Sequence, residues 1–299
     1  MHTLQKAVVA GPGFHKNKRI EQLFQHIVFA CLEQISVSET GLAGKYDVES
    51  LHQLRVGLRR LRSAFRIFKD QLPIPPSLEE DLSWISSQLN PARDWDVLLG
   101  TTLVTVMDLP HTPALSRLMQ EAGHQAERHH RQARASVLSD RFTLFKLDLG
   151  LWLHLRAWRD GDSAGNKQAY RRKSAKFASH RLADMQQQLQ NAGQGLRKAK
   201  PRAMHKIRIE AKKLRYAMEF FKPVLQARQN KAGLKNIIEI QDQLGSYNDL
   251  VIAQTLLAEM QGEDPDLKVD MVQVCQLLED MADKKKTQIR KHWKQLLHS

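Results

Sequence analysis

Apolar residues recur three and four positions apart along almost the whole chain, and sustained alternation of apolar and polar residues is hard to find. This period predicts helices near residues 16–37, 47–71, 78–90, 94–107, 114–138, 142–158, 167–191, 202–226, 231–244, 248–261 and 266–297. Leu, Ala, Gln, Lys and Arg, which favour helices, are plentiful. The breaks fall at turn-forming clusters: Gly41 to Gly44, Pro73 to Pro76, Pro110 to Pro113, Gly161 to Asn166, Gly193 to Gly195 and Gly262 to Pro265. The polar stretch from Arg159 to Asn166 divides the chain into units of residues 15–160 and 161–299, after a short tail of residues 1–14. The expected fold is all-α.

A basic pattern occurs twice within this helical background. The first copy runs His52-Gln-Leu-Arg55-Val-Gly-Leu-Arg59-Arg60-Leu-Arg62, and the second runs His205-Lys-Ile-Arg208-Ile-Glu-Ala-Lys212-Lys213-Leu-Arg215. They lie 153 positions apart, about half the chain. On a helical wheel that starts at His52, Arg55, Arg59, Arg62, Arg66 and Lys69 fall between about 260° and 340°, while Leu54, Leu58, Leu61, Phe65 and Phe68 centre near about 200°. The helix therefore buries one face and carries a cationic stripe beside it, about 21 Å long from His52 to Arg66. The second copy repeats the wheel. His205, Arg208, Lys212, Arg215 and Lys222 form its stripe, and Ile207, Ala211, Leu214, Met218 and Phe221 its apolar face. Glu219 stands where the first copy has Arg66, which predicts weaker anion binding at that end. Arg60 and Lys213 fall near about 80°, away from the stripes.

Like charges three and four apart on a helix repel by a few tenths of a kcal/mol per pair. No acid interleaves between His52 and Lys69 to relieve this. One basic helix of this kind is ordinarily a solvated surface. Two with matching wheels and matching histidines point instead to a surface for a polyanion. Arginine suits the task because its planar fork grips phosphate oxygens in pairs. His52 and His205 have two readings, contact with the ligand or local hydrogen bonding near a helix start.

The repeat extends further. Leu89-Asn-Pro-Ala-Arg93-Asp94 and Leu244-Gly-Ser-Tyr-Asn248-Asp249 each follow a basic pattern by about forty residues, and each reads as a helix end, a turn and an Asp opening the next helix. Asp94 and Asp249 are expected to cap that helix or pair with a neighbouring Arg. Asp96 adds a second carboxylate in the first copy alone, so no repeated metal site emerges. Lys18, Arg19 and His26 fall opposite Arg172, Lys173 and His180. Two similar bundles, packed about a pseudo-twofold axis, are the natural architecture. Lys18, Arg19, Arg172, Lys173, Lys176 and Arg181 are further candidates for the anion site.

Composition narrows the function. The 299 residues carry a net charge of +14, which calls for an anionic partner. The two cysteines, Cys31 and Cys275, lack metal-ligand spacing and are expected to be reduced thiols. No apolar run approaches the roughly 20 residues of a membrane span, and the apolar N-terminal stretch is too short for a signal peptide. A cytoplasmic protein is the default expectation, with a salt-sensitive contact to acidic lipid left open.

The two basic helices, the Arg93-Asp94-Trp95-Asp96-Val97 segment and the Leu244 to Leu250 segment together resemble the CHAD family, the conserved histidine α-helical domain, over the chain from about residue 15 onward. The resemblance implies two tandem four-helix-type bundles and inorganic polyphosphate bound in a basic channel or groove between them. It also implies association with polyphosphate granules at the family level. Such domains often accompany a CYTH triphosphatase. No Glu-x-Glu-x-Lys pattern of that domain is found here, and a stand-alone, non-catalytic member with no cofactor and no metal is expected.

Two other functions compete with polyphosphate binding. Nucleic acid, RNA in particular, is also a polyphosphate, but aromatic content is only 6% and the charged helix faces carry no interleaved aromatics for base stacking. A phosphoryl-transfer enzyme using His52 or His205 would want a Gly-rich nucleotide loop or a repeated carboxylate pair, and neither is found. His129 and His130 read as part of a solvated basic face. The final helix, with Lys284 to Lys286, Arg290 and Lys291, could serve the site or simply solubility.

Overall fold

The computed structural model describes residues 18–106, 113–160, 164–194, 201–225, 231–260 and 265–297. The turn clusters expected at residues 110–112, 161–163, 195 and 262–264, and the tail of residues 1–14, lie outside the described residues. The fold is all-α, and the described residues contain no strand. In chain order the helices are α1 (Ile20–Ala43), α2 (Val48–Phe68), α3 (Pro76–Val97), α4 (Leu103–Val106), α5 (Pro113–Val137), α6 (Asp140–Leu155), α7 (Ala164–Arg171), α8 (Ser174–Gly193), α9 (Pro201–Phe221), α10 (Lys231–Glu259) and α11 (Pro265–Leu297). A π-helical turn, Leu98–Thr102, joins α3 to α4.

Helix α2 begins where the Asp47 carboxylate accepts the backbone N–H of Ser50 at 2.7 Å, an N-cap that also holds the carboxyl below its usual range. Leu54, Leu58, Leu61, Phe65 and Phe68 are at most 1% exposed, as the wheel requires. Each such side chain contributes about 1.5–3 kcal/mol by leaving water. Ile207, Ala211, Leu214, Met218 and Phe221 bury the matching face of α9. Gly57 lets α1 cross α2 closely: a Cβ there would meet Ile35 Cγ1 at 2.9 Å.

Packing repeats between the halves. In the first, α2 lies between α1 and α3, and α3 packs on α5. In the second, α9 lies between α8 and α10, and α10 packs on α11. Across the halves, α2 meets α9, α3 meets α10 and α5 meets α11. A reciprocal exchange ties the beginnings of α1 and α8. Ile20 N donates to Arg172 O at 3.0 Å, and Ser174 N donates to Lys18 O at 2.9 Å, flanking an antiparallel bridge between Arg19 and Lys173. These are residues paired by the sequence repeat, and a twofold relation between halves requires this kind of exchange.

Several helix boundaries differ from the sequence expectation. No turn interrupts the chain at Asn90-Pro91 or at Gly245-Ser246-Tyr247: α3 and α10 run straight through. Pro91 removes one intrahelical hydrogen bond. Leu89, Ala92 and Trp95 are nevertheless buried around it, and this packing outweighs the local signal. Asp94 and Asp249 therefore lie inside helices and cap nothing. Conversely, the helix expected over 167–191 divides into α7 and α8, because Lys173 is extended in the bridge to Arg19 and Ser174 Oγ donates to Lys18 O at 2.7 Å.

Candidate anion-binding groove

The charged faces of α2 and α9 meet α3 and α10 around one groove of about 820 Å³. From the first half it is lined by His52, Arg55, Leu58, Arg59, Arg62, Ser86, Asn90, Arg93, Asp94 and Val97. From the second come His205, Arg208, Lys212, Gln241, Asp242, Gly245, Ser246, Asn248, Asp249 and Ile252. Most of these are counterparts. His52, Arg55 and Arg59 match His205, Arg208 and Lys212. Ser86, Asn90, Arg93, Asp94 and Val97 match Gln241, Gly245, Asn248, Asp249 and Ile252 at a single offset of 155.

Near the middle, Arg59 acts on Lys212 and Asp249 on Asp94 across the two halves. The Lys212 ammonium is pushed down to about 7, first by burial and then by Arg208 and Arg59. Among the described residues neither Arg59 nor Lys212 forms an ion pair. Asp94 and Asp249 are both held above the usual carboxylate range by burial, although Arg55 and Arg208 beside them pull the other way. Asp249 also raises Asp94. Arg55 lies 3.9 Å from Asp94 and donates to the carbonyls of Asn90 at 2.9 Å and Leu89 at 3.3 Å. Arg62 donates to Leu82 O at 3.0 Å. These bonds fix the two guanidinium groups against α3. Burial lowers His52 to about 4, with Arg93 and Arg59 assisting, so its ring is neutral near pH 7.

Several expected site residues lie elsewhere. Arg215 does not line the groove: its Nε donates to Glu219 at 2.9 Å, and Glu219 also accepts from Arg60 at 2.7 Å. Arg66, Lys69 and Lys222 are exposed beyond the groove's end. Arg181 donates to Arg66 O at 3.3 Å and lies 3.5 Å from Asp70. Lys18, Arg19, Arg172 and Lys173 surround the α1–α8 bridge, and Lys176 is exposed. None of these lines the groove.

Arg93 is a groove cation that the sequence reading did not select. Its signal was present: on an unbroken helix, Asn90, Arg93, Asp94 and Val97 share one face, and so do Gly245, Asn248, Asp249 and Ile252. Nor is His130 solvated as expected. Its Nε2 lies 2.8 Å from Asp96, which also accepts the Tyr46 hydroxyl at 2.7 Å, and its ring stacks on Tyr46 at 3.7 Å. Among the described residues no cluster of three or more His, Cys, Asp or Glu could hold a metal, and no helix is long and apolar enough to cross a membrane.

Comparison with known proteins agrees with this fold. The chain is similar to the crystal structure of the CHAD domain from the plant Ricinus communis, with a TM-score of 0.82 and 29% identity over 95% of this chain and 94% of that one. PptA from Streptomyces chartreusis shares the fold, with a TM-score of 0.64 at 14% identity over 94% of this chain and all of that one. No curated protein matches. The family profile described as CHAD domain matches residues 26–258, a span that holds both basic helices and both Asp segments, and the chain belongs to the CHAD domain family.

Proposed function

We propose that the groove binds inorganic polyphosphate and does no chemistry on it. The observation that carries this reading is the meeting of Arg59 and Lys212, one from each half, as half-buried cations with no ion-pair partner among the described residues. Bringing such groups together costs free energy that a linear anion between them would return. Arg55, Arg62, Arg93 and Arg208 extend the contact, and His52 and His205 sit at the groove wall. Membership in a family linked to polyphosphate supports the same ligand. Binding would release counterions and form charge-assisted hydrogen bonds to phosphate oxygens, so affinity should fall steeply with salt. A cytoplasmic setting and association with polyphosphate granules belong to the same proposal.

The test is a titration with long-chain polyphosphate at two salt concentrations, with RNA of equal phosphate content as competitor. Wild type is compared with a charge-reversal variant at Arg55, Arg59, Arg208 and Lys212. Salt-sensitive binding that resists RNA and is lost in the variant is expected. Equal competition by RNA would make the groove a general nucleic-acid surface. Release of phosphate during the titration would contradict a purely binding role.

A further inference from the structure

A second cavity, of about 320 Å³, adjoins the groove on the side of the second half, between α9 and α10. It shares His205, Arg208 and Asn248 with the groove, but its remaining walls are Met204, Leu244, Tyr247 and Val251. Met204, Leu244 and Tyr247 are at most 6% exposed, so the chamber has a buried, apolar back. Bare phosphate has no use for such a chamber. A flat apolar group would leave water on entering it, and anything attached to that group would emerge beside Arg208 and His205.

The first half lacks the wall that makes this chamber. Asp96 stands at the counterpart of Val251, and Ala92 at that of Tyr247. Asp96 is tied to Tyr46 and His130, whose stacked rings pack over that end of α3. An apolar chamber opening onto the cations is thus a property of the second half, and it gives the groove a chemically distinct end.

We propose that this chamber takes the aromatic head of a short phosphate chain, making nucleoside oligophosphates a second ligand class of the groove. The base lies against Leu244, Tyr247 and Val251, and the phosphates run past Arg208 toward Lys212 and Arg59. Asn248, at the mouth, offers an amide to the edge of the base. The inference rests on the groove being a phosphate site, and its test separates the two.

The probes are adenosine triphosphate and inorganic tripolyphosphate, which carry the same number of phosphates with and without a base. Calorimetric titrations compare wild type with Val251→Phe, which fills the chamber from a wall that the groove does not share. Wild type is expected to bind the nucleotide about tenfold more tightly than tripolyphosphate, the scale of one stacked base. Val251→Phe is expected to abolish that advantage while moving tripolyphosphate less than twofold. Should Val251→Phe fail to fold, the ε-methyl NMR signal of Met204 in wild type decides: an aromatic head shifts it by ring current, and tripolyphosphate does not. Tripolyphosphate binding with no nucleotide advantage, or with no selective shift at Met204, overturns the chamber and leaves the groove standing. Binding of neither probe overturns both.

Discussion

The first half of the groove presents Arg55, Arg59, Arg62 and Arg93 against a single carboxylate, Asp94, whereas the second presents Arg208 and Lys212 against Asp242 and Asp249. The backbone positions correspond and the charges do not. Two differences account for most of this. Arg93 has an uncharged counterpart in Asn248. Arg62 lines the groove, while its counterpart Arg215 is held by Glu219, which stands where the first half has Arg66. The repeat thus preserves the shape of the site more faithfully than its charge, and grip on an anion should be unequal along its length. The most damaging break in the comparison is truncation of Arg62 and Arg93 together, the two groove cations whose counterparts bring no charge to the groove. With about 1.5–3 kcal/mol for each hydrogen bond to a charged group, polyphosphate affinity should fall by more than about 100-fold, against less than about threefold for truncation of their counterparts Arg215 and Asn248 together. Equal losses in the two double variants, measured by titration at one salt concentration, would show that the charge imbalance does not reach the ligand.

The halves also differ in how their first helices are anchored. Glu21, 2% exposed, accepts two hydrogen bonds from Arg159 Nη2 at 2.8 Å and lies 3.4 Å from Trp158 Nε1. Its counterpart on α8 is Ala175. Breaking a buried pair leaves a charge without its partner, and here Arg159 is partly open to water. Glu21→Ala should therefore cost about 2–3 kcal/mol of unfolding free energy in a denaturant melt, with polyphosphate affinity unchanged once the protein is folded. A change in affinity would mean that this anchor positions the groove.

The apolar stripes of α2 and α9 were legible because helix period and burial are the same fact seen twice, and every residue assigned to those faces is buried. His52, Arg55, Arg59 and Arg62, and likewise His205, Arg208 and Lys212, were legible for the same reason, since a wheel that fixes the buried face also fixes the stripe beside it. Arg93 was missed through one local rule. Pro91 and Gly245 signal breaks, and a break there discards the i, i+3, i+4, i+7 face on which Arg93 and Asn248 lie. Tertiary packing overrode both signals. Arg215 was misplaced because a wheel shows direction and not competition: Glu219 one turn on holds it. The Tyr46–Asp96–His130 cluster joins three separate segments, and no spacing within one helix could have revealed it.

Proton uptake sharpens the comparison through Lys212, whose ammonium is held down to about 7 by burial. A bound polyanion favours the ammonium. Binding near pH 7 should therefore take up protons, and affinity should fall by about tenfold between pH 6 and pH 8 as the free groove loses this charge. Stability without ligand has the opposite sign. The folded protein binds fewer protons at Lys212 than the unfolded chain from about pH 7 to the ordinary lysine range, so this group makes stability rise with pH across that window. Lys212→Met should flatten both slopes. Calorimetry in two buffers of different ionisation enthalpy measures the uptake directly, and a proton count of zero at pH 7 would remove Lys212 from the binding site.

The smallest effect tests the source of the asymmetry. Glu219→Gln keeps an acceptor for Arg60 or Arg215 but removes the charge that holds both. Arg215 is then free to take the course of Arg62, and the second half gains one uncompensated cation near the groove. At low salt, polyphosphate affinity should rise about threefold, and the gain should fade as the screening length shortens. The same substitution weakens a bond that joins α2 to α9, so the melting temperature should drop slightly while affinity improves. Adding Arg215→Ala separates local from general charge. Loss of the gain would assign it to Arg215 entering the groove. Persistence would mean that the protein's overall positive field attracts the ligand, and that Glu219 affects binding without directing any side chain.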